Sequence, residues 1–173
     1  MDDATRLGFE IKGYPGTARR IEMEADLSQV YRPDLVQGAF MGDAIMQIGD
    51  VNFSTKFGWV TLIDWCLRLS VSTANLEVVE ARHFQFAESD DFMSFRRHDE
   101  EVFVASSYVP GIACARYATF TAAVRDFVDG RLRWLTQEFP AAMRNPAMGD
   151  VFARLGRAFP QPPSPEAPPA TRP

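Results

Sequence analysis

Residues 88–101, with the sequence ESDDFMSFRRHDEE, combine six carboxylates, two arginines and a histidine. Glu88, Asp90 and Asp91 could bind a divalent cation, or one of them could serve as an acid with a raised pKa. Charged turns also cap strands and discourage pairing between sheet edges. We therefore interpret the stretch first as a hairpin with acidic turns, and second as an acidic binding rim for a basic partner. The carboxylates are Glu88, Asp90, Asp91, Asp99, Glu100 and Glu101.

The histidines and cysteines show no spacing typical of a metal site. His83 alternates with its neighbours inside a predicted strand, and His98 falls in a predicted turn. Cys66 and Cys114 are far apart in the chain, whereas a zinc site needs about four converging ligands. No phosphate loop, dinucleotide fingerprint or nucleophile elbow is present either. We expect no cofactor and no metal, and we expect both cysteines to be buried thiols in a reducing compartment.

Length and charge narrow the class of protein. The chain of 173 residues is long enough for one domain with a real core. Its net charge of −5 argues against general nucleic-acid binding and against an anionic membrane surface as partner. No segment reaches the roughly 20 apolar residues of a membrane span. The start of the chain lacks the basic flank and apolar core of a signal peptide, so we expect a cytoplasmic protein.

The first third of the chain is predicted to begin with a hairpin. Apolar residues alternate with polar ones from Leu7 to Ile11 and again from Ile21 to Ala25, which is typical of half-buried strands. The sequence YPGT between them indicates a type II turn. Three glycines interrupt residues 33–53, where we expect one irregular strand at residues 44–48.

Residues 59–72 are predicted to form a helix, with Trp65 outside its apolar stripe. Two interpretations of Trp65 remain open. A loop or the C-terminal segment covers the ring, or the ring projects as a binding anchor, since tryptophan is enriched among the residues that dominate interfaces.

The remainder of the chain is predicted as strands followed by helices. Short turns separate three or four strands in residues 81–116, which indicates an antiparallel meander. Residues 117–138 carry a helical pattern with Thr119 as N-cap and Pro140 as the stop. A short helix should follow the Asn145–Pro146 pair, with the asparagine as N-cap. Residues 160–173 are rich in proline and are predicted to be a disordered tail.

Strands grouped before helices indicate the α+β class. We expect a single antiparallel sheet of about five to seven strands, two long helices on one face, and a short C-terminal helix. Residues 1–159 should form one domain.

Residues 81–130 combine an aromatic strand, an acidic turn, a strand containing FRR, a strand ending in serine and an amphipathic helix. This order resembles small actinobacterial domains of unknown function, some of which look like immunity proteins of toxin systems. The resemblance implies a cytoplasmic α+β domain without an assigned activity, and it carries no functional residues over to this chain.

Three functions are compatible with these patterns. The first is a non-enzymatic protein-binding domain, immunity-like, whose acidic turns attract a basic partner. The second is a small-molecule binder or hydrolase-type enzyme with a pocket between sheet and helices, using polar groups from Glu88, Asp90, Asp91 and His83. The third is a structural subunit that docks through the last helix and the tail.

Overall fold

The computed structural model describes residues 4–12, 20–87 and 89–160, which form two antiparallel sheets of four strands each with five helices. The α+β class is confirmed, but the prediction of a single sheet is wrong. The helices are α1 (Ile21–Glu24), α2 (Arg32–Gln37), α3 (Leu62–Asn75), α4 (Tyr117–Glu138) and α5 (Pro146–Arg154). The strands are β1 (Thr5–Ile11), β2 (Met41–Ile48), β3 (Val51–Asn52), β4 (Val60–Thr61), β5 (Ala81–Gln85), β6 (Phe92–His98), β7 (Glu101–Ser106) and β8 (Ile112–Arg116).

The first sheet is built around β2, which pairs with β1, β3 and β4. The predicted hairpin partner of β1 is instead the one-turn helix α1. Glu22 of that helix is buried, and one of its carboxylate oxygens accepts a hydrogen bond from the backbone N–H of Phe40 at 3.3 Å. This tertiary contact overrides the local alternation of apolar residues. The predicted YPGT turn lies outside the described residues.

The glycine-rich segment from residue 33 to 53 contains more structure than the one strand expected. It forms the end of α2, the whole of β2, and β3. Gly42 allows β2 to approach β1 closely, because a Cβ at that position would lie 2.0 Å from the backbone oxygen of Glu10. The strand expected at residues 44–48 is therefore present and longer, as β2, and Gly42 in it reflects close strand pairing.

The second sheet is the predicted meander, in the order β5–β6–β7–β8. One face packs on the helices, with Phe95 opposite Val104 in adjacent strands and both fully buried. The opposite face is open, and Phe92 and Ile112 are 42% and 68% exposed there. Period-two alternation therefore predicted both the strands and their buried face.

Helices α3 and α4 pack on each other and contact both sheets. The predicted bounds of α4 are confirmed, but Thr119 is not its N-cap, because the helix already begins at Tyr117 and Arg116 occupies the cap position. Helix α3 begins at Leu62, three residues after the predicted start at Trp59, and ends at Asn75.

The short C-terminal helix α5 is confirmed, with Asn145 as its N-cap. The Asn145 side chain accepts a hydrogen bond from Ala147 N, and its Nδ2 donates to the carbonyl oxygens of Leu27 and Val30. The apolar residues of α5 face inward, so the described part of this helix offers no large apolar patch for docking a larger assembly. These residues are Met148, Val151, Phe152 and Leu155.

Candidate functional site

The acidic side chains of residues 88–101 do not form one rim. Strand β6 separates the two turns, and at about 3.3 Å per residue its seven residues span roughly 20 Å. Asp90 and Asp91 therefore lie at one end of the second sheet, whereas Asp99, Glu100 and Glu101 lie at the other. Glu88 lies outside the described residues. The two ends have to be considered as separate sites.

The turn between β6 and β7 is a solvated strand connection. Asp99 adopts a left-handed backbone with φ of 51°, which aspartate tolerates better than most residues. The Arg97 Nε donates to the Asp99 carbonyl oxygen at 3.0 Å, and His98 Nδ1 lies 3.3 Å from Asp99 Oδ2. Glu100 and Glu101 are exposed. These contacts are local, and each is explained by the geometry of the turn.

The turn between β5 and β6 holds one carboxylate in a fixed position. The Ser89 Oγ donates to Asp91 Oδ2 at 2.8 Å, and the Ser107 Oγ donates to Asp91 Oδ1 at 3.0 Å. Asp90 is exposed and accepts a hydrogen bond from Gln85 Nε2 at 3.3 Å. Two hydroxyl groups already fix the Asp91 carboxylate. Its remaining lone pairs can therefore accept hydrogen bonds from a ligand with little further loss of Asp91 side-chain entropy.

Tyr108 follows Ser107 in the chain and lies within range of the charge of this carboxylate. Burial raises the pKa of the Tyr108 hydroxyl, and the negative charge of Asp91 adds to that effect. The hydroxyl donates to the carbonyl oxygen of Phe53 at 3.0 Å, which ties the second sheet to the loop that follows β3. The ring centroid of Tyr108 is 5.3 Å from that of Phe57.

The loop of residues 53–59 places a stacked aromatic pair next to Tyr108. The rings of Phe57 and Trp59 are 4.8 Å apart and inclined by only 10°. Phe86, the residue after β5, is buried under the pair, and its ring centroid lies 5.6 Å from that of Phe57. We call the group of Phe57, Trp59, Phe86, Tyr108 and Asp91 the aromatic end. All of its members except Phe86 are half-buried and retain some solvent exposure.

A buried carboxylate fixes the loop that carries this pair. Asp43 is 5% exposed, and its Oδ1 accepts a hydrogen bond from Gly58 N at 2.8 Å. Its Oδ2 accepts from Lys12 Nζ at 2.6 Å. Gly58 has a positive φ of 74°, so a residue without Cβ suits the bend between Phe57 and Trp59. Asp43 thus sets the position of both rings through the backbone.

Trp65 is buried beneath the aromatic end, where it packs on Phe86, and it does not face solvent or a partner. It is 1% exposed and stacks on Phe86 at a centroid distance of 6.1 Å and an angle of 15°. It also contacts Phe84 at 5.8 Å. The expectation that Trp65 is a binding anchor therefore fails on its burial. The ring is covered, as the alternative interpretation held, but it packs on Phe84 of β5 and on Phe86 just after that strand.

Phe57, Trp59 and Tyr108 were not among the site residues predicted from the sequence. A signal was present, since two aromatic residues, Phe57 and Trp59, flank Gly58 at the start of the predicted helix of residues 59–72. Loop residues held by a rigid scaffold are frequent binding residues. The pattern could have indicated an aromatic loop, although not its contact with Tyr108.

The polar residues named for a pocket between sheet and helices do not converge. His83 lies on the exposed middle of β5, two residues before that strand ends, while Asp90 and Asp91 occupy the turn beyond it. Apolar side chains fill the space between the second sheet and the helices, among them Phe95, Val104 and Phe120. Within residues 4–12, 20–87 and 89–160, no group of three or more His, Cys, Asp or Glu side chains could hold a metal ion.

Comparisons with known proteins add no relative. No family model, no curated protein and no solved structure matches this chain. Among the described helices, none combines the length and apolar character needed to cross a membrane.

Proposed function

We propose that this chain is a non-enzymatic protein-binding domain that recognises a basic side chain of its partner at the aromatic end. The observation that carries the proposal is a fixed carboxylate, Asp91, next to half-exposed aromatic rings. Asp91 is hydrogen-bonded to Ser107, the chain neighbour of Tyr108. The ring of Tyr108 in turn lies 5.3 Å from that of Phe57, which stacks on Trp59. An acidic group beside aromatic faces is complementary to a cation on an apolar stem.

A guanidinium group fits this chemistry better than an ammonium group. It is planar and stacks on aromatic faces, and it pairs with a carboxylate through two parallel hydrogen bonds. A cation over an aromatic ring contributes about 0.5 to 2 kcal/mol, depending on how far it is desolvated. We therefore expect an arginine of the partner at this site, surrounded by contacts that exclude water.

The resemblance to immunity-like domains supports a specific role within the proposal, namely that the chain neutralises its partner. A domain of that kind neutralises its partner by covering it, and needs surface complementarity but no catalytic group. The separation of the acidic side chains means that the two turns attract a basic partner from different ends of the second sheet. In the proposal, the aromatic end supplies affinity, and the β6–β7 turn supplies only long-range attraction.

A titration that needs no partner tests the recognition of the cation. The ¹⁵N-labelled protein is titrated with acetyl-arginine amide, and acetyl-citrulline amide serves as the uncharged control of the same shape. We expect the indole N–H signal of Trp59 to shift with the arginine compound alone. Equal shifts with both compounds, or no shift with either at about 50 mM, would contradict the proposal, since a site worth 1–2 kcal/mol gives a dissociation constant in the upper millimolar range.

Variants test whether the same residues bind a partner captured from the native cell. Trp59→Ala should weaken that complex by about 30-fold or more, as expected for an interface residue worth about 2 kcal/mol, and Trp59→Phe should restore most of the affinity. Asp91→Asn should weaken it as well, whereas Asp99→Asn removes the same charge at the opposite end and should change the affinity little. Wild-type affinity in both Trp59→Ala and Asp91→Asn would refute this location of the interface.

A further inference from the structure

A second surface, independent of the proposed function, lies along the free edge of β5. This strand pairs only with β6 among the described strands. Phe86 N donates to the carbonyl oxygen of Asp91 at 2.9 Å, and Arg97 N donates to that of Glu80 at 2.7 Å. Because an antiparallel ladder alternates, the even-numbered residues of β5 bond to β6, and Ala81, His83 and Gln85 direct their backbone groups to the open edge.

Among the described residues, a side chain of α3 covers the far end of this edge. The Arg68 Nη1 of α3 donates to the carbonyl oxygen of Gln85 at 2.9 Å, which confirms the direction of the odd-numbered backbone groups. Ala81 and His83 are exposed. Their N–H and C=O groups form a short row with the two-residue spacing that an added strand requires.

The edge borders a cleft of about 380 Å³ between β5, α2, α3 and the end of α5. Arg68 in this cleft is paired with Asp64. Arg82 and Arg154 also line it, and no carboxylate of the described residues lies within ion-pair distance of either. In a chain with a net charge of −5, this is a local concentration of positive charge. We call this surface the β5 cleft.

We propose that the β5 cleft binds an extended, carboxylate-bearing peptide segment of a partner protein, which adds as a strand to the edge of β5. The backbone of the segment would pair with Ala81 and His83, and its acidic side chains would pair with Arg82 and Arg154. A small anion would use the arginines but leave the backbone row unpaired. A second copy of this chain, paired β5 to β5, would place the Arg82 side chains of both copies close together, and like charges in that position repel.

Two variants at one position separate strand addition from simple anion binding. His83→Pro removes only an N–H that faces the open edge, so the pairing of β5 with β6 keeps all its hydrogen bonds, and edge strands accept proline at such positions. His83→Ala removes the side chain but keeps the N–H. The probe is acetyl-Thr-Glu-Val-Glu-Thr-amide, titrated into the ¹⁵N-labelled full chain. We expect binding to the wild type and to His83→Ala, and at least a tenfold loss in His83→Pro.

Charge variants give the second arm of the test. Replacing Arg82 and Arg154 together by Gln should weaken peptide binding by about tenfold or more, because it removes both cations without a carboxylate partner. The matched control replaces Arg125 and Arg133, two exposed arginines of α4, and should leave binding unchanged. Bound peptide should also slow hydrogen exchange of the His83 amide in the wild type. That measurement decides the question if His83→Pro proves unfolded in a thermal melt.

Each contrary result has a definite meaning. Equal binding by His83→Pro and His83→Ala, with citrate displacing the peptide, would show a small-anion site and overturn strand addition. Equal binding of acetyl-Thr-Lys-Val-Lys-Thr-amide would overturn the preference for carboxylates. The absence of signal shifts at 5 mM peptide would overturn the proposal as a whole.

Discussion

The substitution Asp43→Ala should release the loop that carries the aromatic end. The change removes the acceptor of Gly58 N, which is buried, and leaves that N–H without a partner. An unpaired buried N–H costs about 1–3 kcal/mol, and the lost hydrogen bond involved a charged acceptor, so the total should be about 2–4 kcal/mol. For a chain of this length each kcal/mol lowers the melting temperature by roughly 2–4 °C, which predicts a fall of about 5–15 °C.

Thermal melts and tryptophan fluorescence measure the two consequences separately. Trp59 emission should shift to longer wavelength in Asp43→Ala at temperatures where the protein is still folded, because the ring loses its fixed position against Phe57. Asp43→Asn keeps one acceptor oxygen, so its melting temperature should lie between those of Asp43→Ala and the wild type. Asp50→Ala, which removes an exposed carboxylate after β2, is the control and should melt within about 1–2 °C of wild type. A melt of Asp43→Ala as high as that of Asp50→Ala would refute the role assigned to this hydrogen bond.

Three further outcomes are expected. Asn145→Ser keeps the helix cap but loses both hydrogen bonds to Leu27 and Val30, so chemical denaturation should show a loss of about 2 kcal/mol, and Asn145→Ala should lose about 1 kcal/mol more. The hydrogen bond to Asp43 raises the pKa of Lys12 above its ordinary value of 10.5. Protonated Lys12 therefore stabilises the fold below about pH 10.5, and this stabilisation is lost as the pH rises through the raised pKa. Between about pH 9 and 11.5, the free energy of unfolding should accordingly fall less in Lys12→Met than in the wild type. Burial raises the pKa of Cys66 to about 12, whereas Cys114 is only half-buried, so a thiol reagent at pH 8 should modify Cys114 and spare Cys66 until the protein unfolds.

The second sheet could be predicted from the sequence because its signals are local. Each of its strands alternates apolar and polar residues, and each connection is short, so period and turn length agree. The first sheet could not be predicted in this way, because its paired strands are far apart in the chain. Phe9 of β1 pairs with Ala44 of β2, and the residues between them carry no local pattern that predicts this pairing. The alternation at Ile21–Ala25 was misleading, since a segment of five residues also fits one helical turn once Glu22 finds a buried partner.

The burial of Trp65 shows why helical periodicity located the wrong candidate. The apolar stripe of α3 predicted one buried face, with Trp65 beside Arg68 and Ser72 on the other. Strand β5 packs against that second face, so Ser72 is buried too, and Arg68 reaches across to the edge of the strand. Because α3 packs on two sides, with Val71 and Ala74 on the part that stays exposed, a wheel projection with one buried stripe could not place Trp65.

The position of Asp91, and not the number of neighbouring acidic residues, decides what the acidic stretch can do. In the sequence, Asp91 and Asp99 are equivalent, since both stand at a turn among other carboxylates. In the structure, two serine hydroxyls fix the Asp91 carboxylate, whose charge acts on the Tyr108 hydroxyl, whereas the contacts of Asp99 lie within its own turn. A fixed carboxylate beside aromatic rings can distinguish a guanidinium group from other cations, while a solvated one only adds to the field of the surface. If the chain binds a basic partner as proposed, specificity should depend on one end of the second sheet, and the salt dependence of association on both ends.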